Sequence, residues 1–127
     1  MKLINLLLLV GLLSCSSNNN DISGTYSGMV RIETTVIDNR DLNSVSNQNT
    51  VITVLEDADG RYYSQTGCGK AYYSNGDVWR ECSNSVMEKR YIYKTSSNSM
   101  KVTITNNQLN SDGTVRIGVR TTGDLSK

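Results

Sequence analysis

Residues 114–121 read Thr-Val-Arg-Ile-Gly-Val-Arg-Thr. In an extended chain Val115, Ile117 and Val119 fall on one side, and Thr114, Arg116, Gly118 and Arg120 on the other. A period of two carried by β-branched residues predicts a half-buried strand. The preceding segment repeats it: Met100, Val102 and Ile104 alternate with Lys101, Thr103 and Thr105. A polar stretch at 106–113, ending in Asp112-Gly113, reads as the loop between them. Toward the N-terminus, Tyr26, Gly28, Val30, Ile32 and Val36 alternate with Ser27, Met29, Arg31, Glu33 and Thr35. Thr50–Glu56 forms another strand, and Asp57-Ala58-Asp59-Gly60 turns it into Arg61–Gln65. Met87, Tyr91 and Tyr93 alternate with Glu88, Arg90, Ile92 and Lys94. The expected fold is all-β, a small antiparallel β-barrel or sandwich of about seven or eight strands. Residues 38–48 show no period and read as a polar, mobile loop.

Composition agrees. From Ile22 onward there are 17 Val and Ile but only 4 Leu, with Thr, Ser and Asn abundant between them. That vocabulary suits pleated surfaces and tight turns. The chain has 127 residues, enough for one domain. Its formal charge is +1, so no basic excess points to nucleic acid. It contains no His, no Pro and no Phe. Without His there is no Ser-His-Asp triad, no Cys-His pair and no His-ligated metal. Acidic pairs exist, but none sits in a general-acid frame. No enzyme activity, cofactor or metal is expected. Asp57-Ala58-Asp59-Gly60 opens like a calcium loop, yet Cys68 stands where the twelfth-position Glu belongs, and a β-turn explains the same residues.

Residues 1–14 form a separate text. Lys2 is followed by an almost wholly apolar run, Leu3 to Leu13, and 7 of the chain's 11 Leu lie in the first 15 residues. The run is too short for a stable bilayer span and has the length of a secretory h-region. Leu12-Leu13-Ser14-Cys15 resembles the lipobox of bacterial lipoproteins. The resemblance implies cleavage after Ser14, acylation of the Cys15 thiol and anchoring to a membrane by the N-terminal lipid. Residues 15–22 then form the lipidated end of a flexible polar tether, and 23–127 the β domain. Ser16, in place of the Asp that retains such lipoproteins in the inner membrane, implies the outer membrane.

Acylation of Cys15 leaves Cys68 and Cys82 as the remaining thiols of an exported chain, and a disulfide is the default. A three-residue hairpin loop, Ser74-Asn75-Gly76, would place Cys68 directly opposite Cys82. A two-residue Asn75-Gly76 turn shifts the register by one and would need a bulge at Gly67 or Gly69. A redox pair and metal thiolates are the alternatives, without C-x-x-C spacing or His to support them.

Tyr62, Tyr63, Tyr72, Tyr73 and Trp79 are the candidate binding residues. Adjacent Tyr residues on a strand point to opposite faces, so each pair sends one ring inward to the core and one outward. In the three-residue register Tyr73 and Trp79 share a face. Outward rings offer an aromatic surface for a protein or glycan partner. Gly69-Lys70-Ala71-Tyr72 with Trp79 resembles the inhibitory loop of small periplasmic inhibitors of c-type lysozyme, although Cys68 replaces the family's Ser. That likeness implies a barrel whose Tyr72–Trp79 hairpin enters an enzyme cleft. Gly24-Thr25-Tyr26 resembles the Gly-x-Trp that opens lipocalin and avidin barrels, with Tyr for Trp, which would imply an internal site for a small apolar ligand. The expectation is a lipid-anchored envelope protein with a non-catalytic binding role, and inhibition of lysozyme or a similar hydrolase as the alternative.

Overall fold

The alternating segments become eight strands in a computed structural model that describes residues 21–127. They are β1 (Gly24–Val36), β2 (Ser44–Glu56), β3 (Tyr62–Thr66), β4 (Gly69–Tyr72), β5 (Asp77–Ser83), β6 (Met87–Thr95), β7 (Ser99–Leu109) and β8 (Val115–Ser126). All ladders are antiparallel, in the order β4-β3-β2-β1-β8-β7-β6-β5. Each strand therefore lies beside its sequence neighbours, and β8 returns to pair with β1. The result is an up-and-down, nearly closed β-barrel, with an incomplete joint between β4 and β5 and a β2 that β3 pairs only at one end. The signal segment, Cys15 and the tether up to residue 20 lie outside the described residues. Ile22, assigned to the tether from sequence, is buried and belongs to the domain.

The inward positions match the sequence periods. Val30 on β1 faces Gly123 on β8, Met100 faces Leu125, and Tyr93 sits between Val78 and Val102. Burial is deepest at the end where the segment before β1 meets the end of β8, and there Lys127 Nζ donates to the Asp21 carbonyl at 3.4 Å. Tyr26 fills this end and is 0% exposed. Its hydroxyl lies 2.7 Å from the Ile22 carbonyl and 2.8 Å from that of Ser96, so its proton is shared between two acceptors. Toward the other end burial fades: Ile32 is only partly covered, and inward-facing Ser46 and Gln48 are exposed.

Three expectations are corrected. Residues 44–48 are strand, not loop; only residues 37–43, with a 3₁₀ turn at Arg40–Leu42, connect β1 to β2. Both faces of β2 are wet there, so no apolar period marks it, and the backbone ladder to β1 holds it. Residues 106–109 likewise extend β7, with polar side chains at 106–108. The β4–β5 turn has two central residues, not three. Ser74 and Asp77 exchange backbone bonds of 2.8 and 3.0 Å around Asn75 (φ 51°) and Gly76 (φ 84°). Positive φ at both positions is the hairpin geometry that Asn-Gly favours. Thr95 N–H donates to Gly76 O at 2.8 Å, so this turn is docked on β6.

The disulfide joins Cys68 to Cys82, with Cα atoms 5.6 Å apart, but not as an opposed hairpin pair. β4 leaves β5 after the turn: Tyr73 N–H bonds Tyr62 O on β3 instead. β3 pairs with β2 only at Leu55↔Tyr63 and Glu56↔Tyr62, then diverges. The β3–β4 hairpin thus crosses toward β6. Its tip at Gly67 lies against the Tyr91 hydroxyl, where a side chain would displace the ring. Cys68 is in that tip, and the disulfide pins it to β5 across the incomplete joint.

The buried tyrosines set an alkaline limit. Burial pushes the Tyr93 hydroxyl well above its usual range, with Tyr73 and Tyr91 adding to it. Burial raises Tyr26 also, then the nearby Tyr73 and Asp21. Unfolded tyrosines ionise near pH 10, before these two do in the folded chain. Stability is therefore complete below about pH 10 and is lost as pH rises further, by up to about 1.4 kcal/mol per pH unit for Tyr93. Urea midpoints are expected to hold between about pH 7 and 9 and to drop sharply by about pH 11.

Candidate functional site

Alternation on two short strands builds the outer surface beside the joint. Tyr63 on β3 is directly opposite Tyr72 on β4, and their rings are 5.8 Å apart, tilted by 51°. Arg61 lies diagonal to Tyr72, and its guanidinium sits 4.3 Å from that ring's centre. Lys70 lies diagonal to Tyr63, and its ammonium is 4.6 Å from that ring. The four side chains form one row, cation–aromatic–aromatic–cation. Tyr72 remains 41% exposed.

Across the joint, β5 turns Trp79 outward, 61% exposed. Arg90, on neighbouring β6, places its guanidinium 5.0 Å from the indole and donates from Nε to Glu81 Oε2 at 3.2 Å. Glu81 and Arg90 are directly opposed in the β5–β6 ladder, which fixes this pair. Asn107 Nδ2 donates to Glu88 Oε1 at 3.0 Å on the next strand. Glu81, Ser83, Glu88, Arg90, Thr105 and Asn107 line a shallow polar groove of about 520 Å³. Between the two aromatic groups, Arg80 donates to the Cys68 carbonyl from Nε at 3.2 Å and Nη2 at 3.1 Å. The hydroxyl of Thr66 accepts from Cys68 N–H at 3.0 Å. The joint is thus held by a covalent bond and a guanidinium, while Thr66 braces the hairpin tip.

Of the five aromatic candidates, the structure brings Tyr63, Tyr72 and Trp79 to the outer face. Tyr73 is corrected: it points inward and shares no face with Trp79, because the two-residue turn reverses its orientation. Its hydroxyl is 2.9 Å from buried Ser64 Oγ, and burial raises its ionisation range. Tyr62 also faces inward and donates to the Asp21 carboxylate at 3.2 Å. Asp21 is held below the usual carboxylate range, first by the Ser23 hydroxyl and backbone amide. Arg61, Lys70, Arg90 and Glu81 were missed. Basic and aromatic residues alternate in Arg61-x-Tyr63 and Lys70-x-Tyr72, but each cation covers the ring of the other strand, which only the register reveals.

The Asp57–Gly60 segment is a turn whose carboxylates face Arg61. Asp57 Oδ1 accepts from Asp59 N–H and Arg61 N–H at 3.0 and 2.9 Å, and Oδ2 lies 3.3 Å from the Arg61 guanidinium. These bonds, the Arg61 amide first, lower the Asp57 ionisation range.

No family model, curated protein or solved structure matches this chain.

Proposed function

We propose that this chain is a lipid-anchored protein of the bacterial outer membrane whose barrel binds a protein partner, without catalysis, through the outer surface beside the β4–β5 joint. The observation that carries this reading is the exposure of Trp79, a large ring left in water beside a guanidinium and a carboxylate. Trp, Tyr and Arg are the residue types that dominate protein interfaces, and Trp79, Tyr72, Tyr63, Arg61 and Arg90 supply all three. Their strands and the disulfide hold them in place before binding, which reduces the ordering cost. The surface is mixed in charge: Arg61 is paired with Asp57 and Arg90 with Glu81, while Lys70 adds a further cation. The anchor rests on the lipobox resemblance around Cys15.

A glycan partner is the second reading, favoured by the polar groove next to Trp79. The hydrolase-inhibitor reading draws less support, because the Asn75-Gly76 turn is docked on β6 rather than projecting. The small-ligand reading is likewise weakened by Tyr26, Met100 and Leu125, which fill the core end of the barrel.

The test is amine-reactive cross-linking of intact and permeabilised cells expressing the full chain, followed by affinity isolation. A discrete protein adduct is expected, reduced about tenfold or more by Trp79→Ala or Tyr72→Ala. Cys15→Ser is expected to move the chain from the membrane to the soluble fraction. An adduct unchanged in both aromatic variants overturns the proposed surface. Retention on a polysaccharide column, lost on Trp79→Ala and with no protein adduct, selects the glycan reading.

A further inference from the structure

β2 carries a second, separate feature. Among the described residues, Ser44–Val51 pairs with β1 on one edge and with nothing on the other, because β3 joins β2 only at Leu55 and Glu56. Free edges are usually blunted by charge, proline, a bulge or shortness. This one has none of these. Residues 44–53 read Ser-Val-Ser-Asn-Gln-Asn-Thr-Val-Ile-Thr, without a charge, and the β1–β2 register runs unbroken through them.

The direction of its backbone groups is known from its far end. Asp57 N–H bonds Arg61 O, and Thr53 O accepts the Ser64 hydroxyl at 2.8 Å, so odd-numbered residues present N–H and C=O to the free edge. Val45, Asn47, Asn49 and Val51 are the unpaired odd positions. An antiparallel pair hydrogen-bonds only where both residues point at each other. A two-fold axis at Gln48 satisfies that for all four: Val45 meets Val51 of the other copy, and Asn47 meets Asn49. The same register sets Val45, 58% exposed, against Val51, 63% exposed, on the outer face, twice over. Axes at Asn47 or Asn49 break both valine pairs, and an axis between residues opposes odd to even positions.

We propose that two copies of this chain associate through β2, antiparallel about Gln48, making one continuous sheet across the dimer. The edge is complementary to itself in hydrogen bonding, apolar pairing and charge, which an edge evolved for an unrelated strand need not be. The edge belongs to β2, whereas the aromatic surface is carried by β3, β4 and β5.

The axis gives a direct test. Gln48 faces its own copy in a non-hydrogen-bonded pair, with Cα atoms about 4.5 Å apart, within disulfide reach. Full-length Gln48→Cys, made in the exporting cell and run on a non-reducing gel, is expected to migrate largely at twice the monomer mass. Val51→Cys, off the axis, is expected to cross-link about tenfold less. The parent chain, which carries Cys15, runs alongside to account for any dimer through that thiol. Adding the exposed substitution Val51→Lys to Gln48→Cys is expected to abolish the cross-link by placing charge opposite Val45. Monomer from Gln48→Cys, equal dimer from both cysteine variants, or a cross-link untouched by Val51→Lys overturns the proposal.

Discussion

Tyr26→Ala is expected to lower the unfolding free energy by about 3–5 kcal/mol, a large part of the 5–15 kcal/mol typical of such a domain. The ring is the largest fully buried side chain of the core, and its removal leaves a hole that strands on both sides cannot collapse to fill. The hydroxyl adds a second contribution. It ties Ile22, just before β1, to Ser96, in the turn from β6 to β7. Tyr26→Phe keeps the ring and leaves both carbonyls without this donor, and is expected to cost about 1–2 kcal/mol. Urea denaturation of the three proteins separates the two effects. A loss in Tyr26→Ala no greater than that in Tyr26→Phe would show that the ring is not the keystone of this end.

Removing the disulfide is expected to have the next largest effect. The cysteines are 14 residues apart, and closing a loop of that length stabilises by roughly 3 kcal/mol in the chain-entropy model. The loss should also be local. β3 and β4 are tied to the remaining sheet by only two ladder pairs, with the Ser74–Asp77 bridge, the Ser64 hydroxyl on Thr53 O and Arg80 beside them. In Cys68→Ala/Cys82→Ala, amides of β3 and β4 are expected to exchange with solvent well before those of β1 and β8. Uniform exchange across all strands would mean that the bridge braces the whole barrel rather than its joint. Partial opening would also separate Tyr72 from Trp79, so binding at this surface should weaken under reducing conditions.

The strands that bury one face were legible from sequence, and those that bury none were not. Val115, Ile117 and Val119 announced β8, and Met100, Val102 and Ile104 announced β7, because a dry interior demands every second side chain. Ser44–Asn49 announced nothing. Its partner is the backbone of β1, and backbone bonding leaves no trace in side-chain pattern. Leu125, almost wholly buried, was passed over for a related reason: the polar run Thr121-Thr122-Gly123-Asp124 hides a strand whose inward positions include a glycine. The pairing of Cys68 with Cys82 was read correctly, but by way of the wrong turn. Cys68 occupies the tip of a hairpin that crosses the barrel, so the cysteines meet without being register partners. The same error sent Tyr73 outward. The cations over Tyr63, Tyr72 and Trp79 were invisible because they come from neighbouring strands, and strand register is a property of the fold.

The pairing of β1 with β8 governs when the molecule can be completed. Val30 finds Gly123, and Val36 finds Ile117, across nearly the whole length of the domain. During synthesis β1 and β2 emerge early as a lone hairpin, and β5 to β7 follow as another fragment. Neither has a closed interior. Only β8 joins them, through its ladders to β1 and β7, so the interior closes last. Topologies dominated by such distant partners fold in milliseconds to seconds rather than microseconds. Until β8 docks, no part of the polypeptide encloses an interior.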